Sequence, residues 1–477
     1  MNVQLKGDLE ENKNIFTRDK KEENSMLEGS IVKALILFAI PLILGNLLQQ
    51  MYNTVDSIIV GNYVGSNALA AVGSSTSLIY LLIAFSQGTA TGAGVIISQF
   101  IGAKNSKGLH VAVHTSLAIA IILGLFLSIV GFVFSPQILK LMKTPDNVMV
   151  ESVVYLKYFS IGLVFNVIYN MAAGILNAVG NSKRSLLYLA IASITNIVLD
   201  LLLIRGVNMG VEGAAIATDL SQVISSILAV YFLMRINEDY KVNLAKIKLH
   251  KEMAIKIIKI GLPTGIQNMV ISLSNVLIQS SINVFGSKTM AGFGAYLKID
   301  GFNILPVMSL SMAATTFTGQ NYGAGKIQRV KRGMYISLIM GLVYTILTGF
   351  LLLTFDNSIM GLFTQDKDVI EVGIEAMKYF CPFYFLLSIL HPLAGTVRGT
   401  GKTIPPMVVL LFSLCVFRMI FIKWVIPYFN TIQSIYILYP VSWAIGAFLM
   451  VLYAWKGKWI EKNKKKAFEF YKNCANA

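Results

Sequence analysis

The stretch NLLQQMYNTVDSIIVGNYVG, residues 46–65, has the composition of the outer half of a membrane helix, yet it contains an aspartate, Asp56. An ionised carboxylate at the centre of a bilayer costs at least about 2.5 kcal/mol, and residues of this kind usually mark a function. A chain that keeps Asp56 inside a membrane helix is therefore expected to use it.

The composition of the whole chain agrees with a membrane location. Of its 477 residues, 55% are hydrophobic and only 13% are charged, whereas a soluble chain has about 25% charged residues. Apolar runs long enough to cross a bilayer recur along the chain. We therefore predict an all-α polytopic membrane protein, because helices satisfy their own backbone in lipid. Basic cytoplasmic loops explain the net charge of +16 without nucleic-acid binding.

The apolar runs predict twelve membrane spans. With twelve spans, most Lys and Arg residues outside the membrane fall on one side, and this asymmetry places both termini in the cytoplasm. We expect a multi-pass protein of the inner or plasma membrane. The predicted spans cover residues 31–60, 68–98, 109–135, 152–179, 185–205, 213–234, 254–285, 291–319, 333–355, 371–396, 405–427 and 432–455.

Two halves of the chain resemble each other. Three motifs recur at one constant spacing, and six spans per half give both copies the same orientation. The halves then form two lobes related by a pseudo-two-fold axis along the membrane normal, an arrangement common in transporters. The matching pairs, each 221 positions apart, are Gly65 and Gly286, Gln99 and Gln320, and Gly174 and Gly395.

This organisation predicts five segments. The first 26 residues are polar and of mixed charge, which is typical of disorder, and they lack the pattern of a cleavable signal peptide. The three cysteines show no paired spacing, so we expect no disulfide framework. The segments are a cytoplasmic N-terminal tail (1–30), an N-lobe (31–234), a cytoplasmic linker (235–253), a C-lobe (254–455) and a basic cytoplasmic C-terminal tail (456–477).

Four polar residues of the first half lie at similar depth. The helical rise of 1.5 Å per residue puts Asp56, Asp200 and Thr218 roughly 6–8 Å below the outer edge. Asn196 shares a helix face with Asp200, one turn deeper. These oxygens suit a hard cation such as Na⁺, and the carboxylate pair could instead hold a proton. Each aspartate alone could also be a structural group, and Asp219 points about 100° away from Thr218.

Pro41 lies in the same predicted span as Asp56. A proline inside a helix removes one backbone hydrogen bond and permits a kink. A kinkable helix that carries a titrating carboxylate is a candidate for a two-state element. The alternative is a static kink.

Other polar or adaptable residues are candidates for a substrate cavity or, equally, for packing between helices. The second half also carries charges within its spans, which form either a compensated ion-pair network or a site for a polar or anionic substrate. The cavity candidates are Gln49, Asn53, Asn166, Asn170, Asn275, Met308 and Met312; the charged residues are Lys298, Asp300 and Arg418.

Two motifs are rejected. GTGKT at 399–403 mimics the end of a phosphate-binding loop, but the required first glycine is replaced by Thr396 and a helix precedes it. His110 and His114 lack a third ligand for a metal. We therefore expect no cofactor, no metal beyond Na⁺, no ATP-driven pumping and no enzymatic activity.

Several motifs resemble the multidrug and toxic compound extrusion (MATE) transporters, and the pattern looks closer to their bacterial DinF-like branch. GSIVKALILFAIPLILGNLLQQMYNTVDSIIVGNYVG (29–65) is similar to their first helix, and 196–222 and 319–325 resemble two further signatures. The resemblance implies a cation site at Asp56, Asn196, Asp200 and Thr218, and a hinge at Pro41. Acidic residues that one branch carries in helices 7 and 10 are absent here.

The resemblance implies a secondary antiporter that exchanges external H⁺ or Na⁺ for cytoplasmic amphipathic organic cations by alternating access. We expect a functional monomer in the lipid bilayer. A flippase for a lipid-linked precursor is the alternative, since the positive charges of Lys298 and Arg418 would suit a phosphate head group. A cavity that is acidic in both lobes would favour drug export, and a basic cavity with a lipid-facing groove would favour the flippase.

Overall fold

The computed structural model describes residues 26–142, 144–429 and 431–461, and these residues form helices and connections without a β-strand. Residues 1–25 and 462–477, which belong to the two predicted tails, lie outside the described residues. Twelve long helices, α1 to α12, run in chain order. They are Ile31–Tyr63, Ser66–Gly102, Ser106–Leu141, Asp146–Ala178, Ser182–Gly206, Val211–Arg235, Lys251–Asn283, Ser287–Gly323, Ile327–Thr354, Lys367–Gly399, Ile404–Phe429 and Ile432–Trp455.

Ten of these helices are long and apolar enough to cross a membrane. The other two, α7 and α8, are equally long at 33 and 37 residues but more polar. In the second half of the chain, α7 and α8 correspond to α1 and α2 of the first half. The predicted architecture of twelve helices is confirmed, with the first and last turns of several helices extending beyond the predicted spans.

The repeat is visible in the backbone of the turns. Gly65 and Gly286, which precede α2 and α8, have φ angles of 125° and 98°. Gly180 and Gly401 have φ angles of 96° and 86° in the turns before α5 and α11. Residues with a Cβ rarely adopt such angles, so the matching glycines fix the same helix-to-helix turns in both halves.

Each half has its own apolar core. One cluster of buried side chains runs from Ile59 to Ile260, and a second from Ile278 to Ile460. The linker belongs with the first, since Tyr240 and Val242 are buried in it. The two lobes inferred from the repeat are therefore two separately packed bodies.

Two helices pass from one lobe to the other. Before Pro41, the first turns of α1 form a third cluster with Ala313 and Phe317 of α8, whereas Ile59 and Val60 near the end of α1 belong to the N-lobe core. In α7, the residues before Pro263 pack in the N-lobe core, and Ile278 lies in the C-lobe core. The lobes thus exchange half a helix each, and both crossings fall at a proline.

The segment before α1 is fastened to the C-lobe. Met26 is buried, and its carbonyl accepts a hydrogen bond from Asn321 Nδ2 at 3.0 Å. Arg329 donates to the carbonyls of Glu28 and Gly29 at 3.0 and 2.9 Å. Residues 26–30, the end of the predicted N-terminal tail, therefore hold the start of α1 against the C-lobe.

The lobes meet at the end of the molecule that carries the loops after α2 and α8, here called the basic end. Gln99 Nε2 donates to the Gly399 carbonyl, and Gln320 Nε2 donates to the Ala178 carbonyl, each at 2.8 Å. Donors and acceptors are both 221 positions apart, so the pseudo-two-fold axis passes between these bonds. The cavity between the lobes is therefore closed at the basic end.

Candidate cation site and central cavity

The structure brings Asp56 of α1 and Asp200 of α5 together. Both side chains are buried, with 9% and 0% of their surface exposed, and their carboxyl groups are close enough to act on each other electrostatically. Apart from this contact, Asp56 Oδ1 and both carboxylate oxygens of Asp200 find no hydrogen-bond donor in the described parts of the chain. Two ionised carboxylates so placed repel each other, and a proton or a cation between them would relieve that repulsion.

Asn196 and Thr218 add neutral oxygens next to this pair. Asn196 Nδ2 donates to Thr218 Oγ1 at 3.3 Å, while Asn196 Oδ1 has no donor within the described ranges. Asn196 precedes Asp200 by one helical turn. The cluster therefore presents four buried acceptor oxygens without donors, which is the reverse of what buried polar groups in proteins normally show.

The backbone of α5 changes at the site. The α-helix ends at Asp200, and a π-helical segment follows from Leu201 to Gly206. π-Helical turns are rare and often occur at functional sites. The wider turn rotates the end of α5 relative to the face that carries Asn196 and Asp200.

Tyr155 of α4 was not predicted as part of the site. It is buried and close enough to Asp56, Asp200 and Asp219 to interact with them electrostatically. A tyrosine in an apolar helix gives no sequence signal for such a place. Asp219 itself accepts a hydrogen bond from the Gly162 backbone N–H at 2.9 Å and packs directly on that glycine. Asp219 therefore joins α6 to α4.

A central cavity of about 520 Å³ lies between the lobes. Of the residues predicted to line it, Gln49, Asn170, Met308 and Met312 do so. The other three candidates lie outside the lining. Asn166 accepts a hydrogen bond from Asn170 at 2.8 Å, Asn275 accepts one from Arg418 at 3.5 Å, and Asn53 lies one turn beyond Gln49 on α1.

The cavity also has polar residues that sequence reasoning missed. The predicted tenth span ended at residue 396 and left Arg398 in a loop, but Arg398 lies in the last turn of α10 and lines the cavity together with His391 of the same helix. The apolar run of α10 suggested an earlier end, so the loop assignment was wrong. Further polar lining residues include Asn46, Gln87, Thr91, Gln267 and Asn268.

The charged residues of the C-lobe divide into two groups. Asp300 accepts a hydrogen bond from Tyr296 at 3.4 Å and lies within reach of Tyr384, with Arg418 near enough to act on its charge. Lys298 is exposed. Because residues two apart on a helix point about 200° apart, Lys298 and Asp300 face different sides of α8.

Arg418 is buried among neutral partners rather than in a salt bridge. Its Nε donates to Ser442 Oγ at 2.9 Å, and its guanidinium lies 4.5 Å from the ring centre of Tyr439. No ion pair within 4 Å joins Arg418 to Asp300 in the part of the chain that the structure describes. The C-lobe group is thus a hydrogen-bonded network enclosed by aromatic rings.

The rejected motifs have structural roles. His114 Nε2 accepts a hydrogen bond from the Asn243 backbone N–H at 3.0 Å, which holds the linker against α3. No group of three metal-binding side chains occurs among the residues described. The GTGKT segment forms the turn from α10 to α11 around Gly401.

Two repeated lobes, a cavity between them and buried carboxylates in one lobe define a membrane transporter. The MatE family model matches residues 41–202 and again 263–424, once in each lobe. The chain belongs to this family, the MATE multidrug efflux transporters.

Individual relatives agree with this assignment. The probable multidrug resistance protein YpnP of Bacillus subtilis is 30% identical over 391 residues, covering 82% of this chain and 87% of that protein. The probable multidrug resistance protein YoeA of the same organism is 27% identical over 449 residues, covering 91% and 96%. The solved structure of a MATE protein in the bent conformation superposes with a TM-score of 0.85 at 23% identity, covering 93% and 99%.

Proposed function

We propose that the chain is a secondary active exporter in which a proton or Na⁺ binds at Asp56 and Asp200 and drives release of an amphipathic compound from the central cavity. One observation carries this proposal: the cluster has four buried acceptor oxygens and, among the described residues, no donor for them. A monovalent cation supplies the missing positive charge. The relatives named for multidrug resistance support export as the direction of transport.

Coupling requires that the ion and the substrate favour different states of the protein, since a ligand with equal affinity for both states shifts nothing. Helix α1 links the two sites. It carries Asp56 near one end, lines the cavity with Gln49, and packs its first turns on the C-lobe. An ion that draws Asp56 towards Asp200 therefore pulls on a helix that also contacts the substrate and the opposite lobe.

We further propose that the basic end faces the cytoplasm, following the distribution of Lys and Arg. The state described here is then closed to the cytoplasm. Substrate enters when the lobes separate at the basic end. We propose a functional monomer, since residues of both lobes of one chain line the cavity.

Transport in lipid vesicles tests the coupling ion. Purified protein is reconstituted, and efflux of a fluorescent organic cation is followed under a pH gradient without Na⁺, and separately under a Na⁺ gradient at equal pH. We expect one gradient to accelerate efflux about tenfold or more, as for a coupling free energy of about 1.4 kcal/mol. Vesicles with Glu371→Gln, an exposed carboxylate on α10, are the matched control. Equal rates with and without either gradient would contradict cation coupling.

Replacing Pro41 by alanine is expected to slow export severalfold without unfolding the protein. Alanine restores the missing backbone hydrogen bond and stiffens α1 where it crosses between the lobes. Pro136→Ala, in α3 of the N-lobe, is the control for a proline that lies away from a crossing. Initial efflux rates and thermal unfolding are measured together. Unchanged export by the Pro41 variant would show that the kink is static.

Export of a lipid-linked precursor is the second candidate. The observation in its favour is the charge of the cavity, whose lining, among the residues that the structure describes, contains Arg398 and no carboxylate. A flippase is expected to move a phosphate-bearing lipid between leaflets without requiring an ion gradient. The vesicle assay with a fluorescent phospholipid in place of the organic cation distinguishes the two functions.

A further inference from the structure

The only charged side chain that lines the central cavity of the described chain is that of Arg398, apart from the titratable imidazole of His391. All other polar groups of the lining are amides, hydroxyls and the phenol of Tyr169. An organic cation in this cavity would meet a fixed positive charge and no counter-charge. This conflicts with the substrate class expected from the sequence.

The guanidinium of Arg398 has no protein partner among the residues described. Within the described ranges its side chain makes no hydrogen bond and no ion pair, although Asp and Glu side chains are the usual partners of an arginine inside a protein. The guanidinium is close enough to act electrostatically on His391, two turns earlier on the same face of α10. Long side chains on a helix lean towards its N-terminus, which in α10 is the direction of His391 and the cavity.

The position of Arg398 explains how the charge is tolerated and where it acts. It lies in the last turn of α10, where the partial negative charge of the helix C-terminus stabilises a cation. The next residue, Gly399, accepts the hydrogen bond from Gln99 that closes the basic end. Arg398 therefore lies at the floor of the cavity, beside the contact that opens when substrate enters from that side.

The N-lobe does not repeat this charge. The residue at the equivalent position, 221 earlier, is Asn177, which also lines the cavity. Asn177 Oδ1 is buried without a hydrogen-bond donor among the described residues. The floor of the cavity thus has one strong donor group on the C-lobe side and a neutral amide on the other.

We propose that Arg398 binds an anionic group of the substrate, so that the cavity selects amphipathic acids and zwitterions over simple organic cations. The forked guanidinium donates two parallel hydrogen bonds to a carboxylate or a phosphate. Met308, Met312 and Ile271 supply apolar surface for the rest of the molecule. This proposal rests on the exporter function above and names the class of compound exported.

Binding to the purified full-length protein tests the proposal without any gradient. The probes are a rhodamine with a free carboxylate, which is a zwitterion, and its ethyl ester, which is a cation of nearly the same size. We expect the wild-type protein to bind the acid about tenfold tighter than the ester, as for one charge-assisted bidentate contact. Fluorescence polarisation gives both dissociation constants. A wild-type protein that does not prefer the acid would overturn the proposal.

Variants locate the preference. Arg398→Gln is expected to weaken binding of the acid about tenfold and to leave that of the ester within about twofold, while Arg398→Lys keeps part of the preference. Arg205→Gln, at an exposed arginine near the opposite end, removes the same charge elsewhere and should change neither constant. Equal loss for both dyes, or no loss, contradicts the assignment. If Arg398→Gln does not yield monodisperse protein, the assignment is tested by the dye preference of the wild-type protein and by whether Arg398→Lys keeps part of that preference.

A competition experiment shows whether the anionic group belongs to a lipid or to a small acid. Competition by dihexanoyl phosphatidate against the acid dye shows whether a lipid-borne phosphate occupies the same site; displacement by benzoate but not by the lipid points to small acids. If the protein prefers the acid dye but no ion gradient drives transport, the exporter function is contradicted and the anion site stands. If an ion gradient drives transport but the protein does not prefer the acid dye, only the anion site is contradicted.

Discussion

Asp56→Asn is expected to reduce gradient-driven export to the rate of vesicles without protein. The amide cannot take up a proton, and it removes one of the two charges that would hold a cation. The fold should survive, since the introduced amide can donate a hydrogen bond to Asp200, whose oxygens now lack donors. Export assays and size-exclusion profiles of the purified variant measure the two effects.

Ion-dependent stabilisation gives a second readout for the same variant. A ligand that binds only the folded state stabilises it by about 2.7 kcal/mol at a hundred times its dissociation constant. Thermal unfolding of the wild-type protein should therefore shift upward with Na⁺, or with acid if the ion is a proton, and the shift should disappear in Asp56→Asn. Glu371→Gln should behave as the wild type. Full export by Asp56→Asn would remove the cation site from the mechanism.

The grouping of these polar residues could be predicted because helices have a regular rise and turn. Depth counting needs only the approximate ends of three helices, and an error of one turn still leaves Asp56, Asp200 and Thr218 at one level. The same regularity predicts that Asn196 faces Asp200. The structure brings Asp56 near Asp200 and joins Asn196 to Thr218, whereas the binding of an ion there stays a prediction.

What the sequence could not show depends on contacts between distant segments. The division of α1 between two lobes follows from packing against Ala313 and Phe317, which no local pattern reveals. Tyr155 joins the carboxylates through the arrangement of α4 beside α1 and α5. The prediction left Arg398 in a loop because its side chain is basic and lies near a helix end. Only the three-dimensional fold shows whether such a residue belongs to a loop or lines a cavity.

Closure at the basic end depends on two glycines that also obey the repeat. A Cβ added at Gly102 would lie 1.8 Å from the Gln320 carbonyl oxygen, and one added at Gly323 would lie 2.0 Å from the Gln99 carbonyl oxygen. Both obstacles are backbone atoms of the opposite lobe, so a side-chain rotation cannot relieve them. The closed state therefore requires glycine at both positions, beside the hydrogen bonds that Gln99 and Gln320 make across the axis.

Gly102→Ala is accordingly expected to open the basic end. Overpacking of this kind costs about 1–3 kcal/mol. Because only the closed state has this cost, the equilibrium between the closed and open states of the basic end would shift about 5- to 150-fold towards the open state. Export should fall, because one half of the transport cycle becomes unfavourable. Spin labels at Ala103 and Ala324, which follow α2 and α8, should report a longer distance in a background without the native cysteines.

A second glycine on α2 separates closure from helix propensity. Gly73 has no atom within 4 Å of an added Cβ, so Gly73→Ala gives the same gain in helix propensity, about 1 kcal/mol, without obstructing the contact between lobes. It should keep the wild-type distance and export rate. Gly323→Ala should reproduce the effect of Gly102→Ala, since the pseudo-two-fold axis makes the two contacts equivalent. If Gly102→Ala instead kept the wild-type distance between the labels, these contacts would not be what closes the basic end.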